Sequence, residues 1–169
     1  HPGKLLLDIE NPDKENWSDL LENEHLFPII LLGWNKTGVY NKSGEVNLKP
    51  YLKEAIAQVR QAMLKVKPLK GWKLLLTSID HFPISSGLLP CFESPQGFIN
   101  NEMNTYRNLK GAIKEILNFS VNAKASFETY QGDFIAIIHE LVKNTYEWGK
   151  TDQNNIPVDP SIRGVLFKF

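Results

Sequence analysis

Three side chains in one short stretch of this 169-residue chain are of a type and spacing that allow joint chemistry. They are Glu140, Asn144 and Glu147, within the run Asp133 to Thr151 that reads DFIAIIHELVKNTYEWGKT. In a helix, with about 100° between successive residues, they fall along one polar edge. Beside that edge Phe134, Ile138, Leu141, Thr145 and Trp148 share a face, which predicts an apolar packing stripe. A carboxylate and an amide one turn apart reach a single ligand. The carboxylate can position a water, and the amide oxygen is a hard donor of the kind Mg²⁺ takes in small number, alongside waters and phosphates. Glu147 stands on the same edge, where it would support a water or a partner residue.

Neighbouring combinations fail on their own residues. His139-Glu140 begins the H-E-x-x-H zinc-protease pattern, but Lys143 occupies the place of the second imidazole, so His139 reads as a structural or surface residue. Asp80, His81, Ser85 and Ser86 hold the residue types of a nucleophilic triad. Triads are assembled from separated elements, however, and no G-x-S-x-G turn surrounds either serine. Trp17, Trp34, Trp72 and Trp148 lack the basic interleaving of a base-stacking platform and read as core packing.

The segment E-L-V-K-N from Glu140 to Asn144, with Ile137-Ile138 before it and Tyr146-Glu147 and Gly149 after it, resembles the N-box of the GHKL superfamily. This is the ATP-binding fold of gyrase, the large heat-shock chaperone, histidine kinases and MutL, and the resemblance covers roughly residues 135–150. It implies ATP and Mg²⁺ as cofactors, with Glu140 as the base that activates the attacking water and Asn144 as the magnesium ligand. Glu147 is carried along as a nucleotide-side residue. Two departures stand out. Trp148-Gly149 replaces the His-Gly pair common in the anti-sigma-factor kinase type, and no D-x-G-x-G turn or further glycine-rich phosphate segment occurs anywhere in the chain. The resemblance therefore implies one wall of an ATP site, with the adenine-recognising part missing, in a parent protein that would be an ATPase or protein kinase.

Composition narrows the alternatives. Nineteen basic and nineteen acidic residues balance, so no long-range field argues for nucleic acid or an anionic membrane surface. Cys91 is the single cysteine, which excludes an internal disulfide and agrees with a reducing cytoplasm. No apolar run approaches membrane-spanning length. The triplets at Asn16, Asn35, Asn41 and Asn118 are read as unglycosylated. His1-Pro2-Gly3 at one end and an apolar strand, Val165 to Phe169, at the other read as a chain cut at both ends.

The elements that must position the polar edge follow from periodicity. Helices are expected over Lys49 to Lys67, Asn101 to Phe119 and Asp133 to Lys150, and one or two turns over Trp17 to Glu24. Strands are expected at Lys4 to Ile9, Pro28 to Leu32, Gly71 to Ile79, Ala125 to Gln131 and Gly164 to Phe169, with a hairpin or loop over Gly33 to Gly44. Asp80 to Gly97 reads as a long loop or cover. The fold class is α+β, helices packed on a mixed β-sheet. Residues 1–100 are expected to form an α/β input or interaction region, and 101–169 the first part of a GHKL-like domain. The alternative function is a non-catalytic interaction or regulatory module. In either case an apolar C-terminal strand short of sheet partners predicts pairing with a protein partner or a second copy.

Overall fold

Asparagine side chains set the first turns of this protein, whose computed structural model describes residues 3–80 and 87–168. Asn11 accepts a hydrogen bond from the Asp13 N–H and opens a short 3₁₀ turn (Pro12–Lys14); Asn16 accepts from the Asp19 N–H and opens α1 (Trp17–Leu21). Asn23 accepts from the N–H groups of His25 and Leu26 at the start of α2 (Leu26–Lys36). The chain is α+β and divides into two compact units, His1–Gln61 and Ala62–Phe169.

In the first unit β1 (Leu5–Leu6) pairs in parallel with β2 (Val39–Tyr40), and α3 (Lys49–Leu64) follows with Pro50 in its first turn. The strand expected over Pro28 to Leu32 is instead the middle of α2. A short apolar run does not distinguish a buried strand from a buried helix. Here the fully buried residues Phe27, Ile30 and Leu31 recur at helical spacing, and Pro28 occupies a first-turn position where its missing N–H costs nothing.

In the second unit β3 (Lys73–Ile79) pairs antiparallel with β6 (Ile162–Lys168), with Leu76 opposite Val165. Between them lie the hairpin β4 (Glu93–Ser94) and β5 (Gly97–Phe98), then α4 (Glu102–Ile116), capped by the Asn101 side chain and ending in a 3₁₀ turn, and finally α5 (Val121–Trp148). The strand expected over Ala125 to Gln131 lies inside α5. Ser120 accepts from the Ala123 N–H and starts the helix there, no proline interrupts it, and Phe127 turns inward against the core. The hairpin was not foreseen in the segment read as a loop, and His81, Ser85 and Ser86 lie outside the described residues. α4 packs along α5, and both rest on the β3–β6 sheet. β3 is buried on both faces, from Leu74 to Ile79.

One charged cluster crosses this unit. The Arg163 guanidinium on β6 donates to both carboxylate oxygens of Asp80, at 2.9 and 2.7 Å, and its other terminal nitrogen lies 2.6 Å from the Glu93 carboxylate. Ser161 donates to Asp80 at 2.9 Å, and Ser78 accepts from Arg163 at 3.1 Å while donating to the Gly87 carbonyl at 2.7 Å. Burial opposes charge on Asp80. The bonds and charge of Arg163, with Ser161 and Lys150, outweigh it and hold the Asp80 carboxyl below its ordinary value of 3.8. Burial likewise opposes charge on Arg163, and the two carboxylates more than restore it.

Arg163→Ala would strand two carboxylates in the interior, and a loss of about 3–5 kcal/mol in urea unfolding is expected. Because the folded Asp80 carboxyl titrates below the unfolded one, its contribution is complete above the ordinary aspartate range. It is lost as pH falls through and below that range. The unfolding midpoint should therefore drop on acidification below about pH 4, and less steeply in Asp80→Asn, whose amide does not titrate.

Candidate functional site

α5 is a 28-residue helix whose buried arc is Ile135, Ile138, His139 and Val142. That arc is set by α4, which runs antiparallel to it: Tyr106 donates to Gln131 at 2.8 Å, Lys114 to Glu128 at 2.7 Å, and Thr105 meets His139 Nδ1 at 3.1 Å. The stripe read from the sequence is thus only partly the packing face. Of its members Ile138 is buried, whereas Phe134, Leu141 and Trp148 are 41%, 60% and 74% exposed. The helix turns its Ile135 to Val142 side to the core. This leaves a second apolar strip, to which Ile137 also belongs, facing outward. The expectation of core burial for all four tryptophans fails accordingly at Trp148 and at the half-exposed Trp72.

The polar edge lies beside that outward strip. Glu140, Asn144 and Glu147 are all exposed on α5, one turn apart as the spacing requires. The Lys143 ammonium stands 4.0 Å from the Glu140 carboxylate, a solvent-facing pair of small energetic weight. His139, by contrast, is fully buried against the Phe98 ring at 5.1 Å, the structural and not the surface one of the two places its sequence context allowed.

The C-terminal end of α5 is fixed by groups that the sequence reading did not select. The Tyr146 ring lies 5.6 Å from Phe98, with the Arg163 guanidinium at 5.5 Å and the Lys150 ammonium at 3.5 Å from its centre. Gly149 ends the helix where a Cβ would come 3.3 Å from the Arg163 side chain. At Gly97, with φ of 126°, a Cβ would meet the Tyr146 hydroxyl at 3.3 Å. Both glycines admit close approach at this helix end. The signal for Arg163 was its place in the strand S-I-R-G-V-L-F, where an inward-facing charge demands buried partners; Asp80, considered for catalysis, is one of them.

On its other side α5 borders β6 along an open groove of about 400 Å³, lined by Ile137, Leu141, Thr145 and Val165 among others. A neighbouring apolar cleft of about 590 Å³ opens between the Phe127, Tyr130 and Phe134 rings and the end of β6. Among the described residues no group of three or more His, Cys, Asp or Glu converges on a metal position. The donors of the polar edge are hard oxygens, which suit a Mg²⁺ carried mainly by phosphates and water. No helix among the described residues is long and apolar enough to cross a membrane. Comparison with protein-family models, characterised proteins and solved structures finds no match for this chain.

Exposure separates two kinds of residue on α5. Glu140→Gln and Asn144→Ala should each change unfolding free energy by less than about 0.5 kcal/mol, while Ile135→Ala, inside the same helix, should cost about 2–5 kcal/mol. Chemical denaturation of the three variants checks this.

Proposed function

We propose that α5 supplies one wall of a Mg²⁺-ATP site, with Asn144 as a ligand to the metal and Glu140 as the group that orients the attacking water. The observation that carries the reading is the joint placement of Glu140, Asn144 and Glu147, exposed on one edge of a helix whose opposite side is packed. A nucleotide would supply phosphate oxygens to the metal, and the edge would supply a carbonyl oxygen and a carboxylate beside it. Mg²⁺ sites of this type use one or two protein groups, so the edge is chemically sufficient for its share. The N-box wording of these same positions supports it, as does the order of helix, loop and β6. A protein kinase or an ATPase would use this wall alike.

The chain contains no glycine-rich phosphate loop, so affinity for nucleotide is expected to be weak, with Kd near or above about 1 mM. Mn²⁺ in place of Mg²⁺, added with a non-hydrolysable ATP analogue, makes even weak binding visible through paramagnetic broadening of amide resonances. Broadening should centre on residues 140–147 and disappear in Asn144→Ala. Broadening elsewhere, or unaltered by that substitution, would remove Asn144 as a ligand.

A further inference from the structure

β6 has one strand neighbour among the described residues, β3, so that along Arg163 to Phe167 its other edge faces no described strand. Edge strands are ordinarily blunted by lysine, proline or a bulge at their centre. The centre of β6, Gly164 to Phe167, has none of these, and its single exposed charge, Lys168, sits at the end. Along the same edge α5 presents Phe134, Ile137, Leu141 and Trp148 to solvent.

We propose that this surface joins two copies of the chain, β6 pairing antiparallel with β6 of the second copy about a two-fold axis through Val165. The helix and strand run in opposite directions: the Phe134 ring lies 6.3 Å from Phe167, and the Tyr146 ring 5.5 Å from the Arg163 guanidinium. Val165, midway along the strand, therefore lies near the turn containing Glu140 and Leu141. A two-fold axis there sets Leu141 against its own counterpart, Ile137 against Thr145 and Phe134 against Trp148. The strand register that follows pairs Ile162 with Lys168 and Arg163 with Phe167. No like charges face each other, and Arg163 is already neutralised by Asp80 and Glu93.

The area is of the right order. Five large side chains on this surface, counting Leu166, are exposed by two-fifths to three-quarters. At about 200 Å² for a large side chain they offer roughly 550 Å², and the seven-residue strand edge supplies much of the remainder of the ~800 Å² per partner that a stable pair buries. An extended peptide from another protein would satisfy the strand edge but leave the helix stripe in water. A second copy covers both.

Sedimentation equilibrium of the whole chain tests the proposal. A concentration-dependent dimer is expected, with its dissociation constant raised at least about tenfold by Leu141→Lys and by Leu166→Lys. Both variants should retain the far-ultraviolet circular dichroism of the parent, since both side chains are exposed. Met103→Lys, equally exposed on α4, should leave association unchanged. A protein that stays monomeric at about 1 mM overturns the interface. So does a dimer insensitive to the two interface substitutions, or one weakened as much by Met103→Lys.

Discussion

A single guanidinium organises the second unit of this protein. Arg163 enters the interior from β6 and is held by Asp80 at the end of β3 and by Glu93 at the start of β4. Three segments far apart in sequence are thereby fixed at one point. Burying a charge of this kind is unfavourable unless opposite charges stand beside it. Here Arg163 has a two-point contact with one carboxylate, an ion pair with another, and a serine hydroxyl as a further acceptor. Such a cluster contributes specificity of arrangement: other registers of β6 against β3 would bury the arginine without its partners.

The same residue reaches the functional candidate. Its guanidinium lies 5.5 Å from the centre of the Tyr146 ring, and its aliphatic portion passes close to Gly149. The edge bearing Glu140 and Asn144 is thus tied to the sheet through Tyr146. A helix resting only on apolar contacts can slide by small amounts, because such contacts have little directional preference. A ring with two cations near its centre and a tilted contact to Phe98 adds directional interactions that apolar packing lacks.

Much of this was legible from residue patterns. The helices α3, α4 and the latter part of α5, the buried strand β3 and the exposed polar edge all follow from local periodicity and capping. What escaped was decided by packing at a distance. The Phe27 to Leu31 segment has the composition of a strand, and only its neighbours select the helix. The stretch around Phe127 and Tyr130 has strand-forming residues but follows the Ser120 cap without a break. Local pattern placed the apolar stripe of α5 one strip away from its true buried arc, because an apolar residue records preference for an interior without saying which interior it occupies. The partners of Arg163 had no local signature, since Asp80 and Glu93 lie 83 and 70 positions away in a chain rich in other acidic residues.

The contacts at the two ends of the polar edge also bear on how steadily it can hold a ligand. His139 is pinned to α4 through Thr105, and Tyr146 to the sheet through Arg163. The segment between them spans seven residue steps, about 10 Å of helix, and behaves as a short beam resting on two supports. Bending stiffness rises steeply as a span shortens, so a backbone held at two points this close together deflects little between them. Groups that share a metal or a water must hold their spacing to within about 0.5 Å. Glu140 and Asn144 lie between the supports rather than beyond them, so the backbone that carries both side chains is held on either side of them.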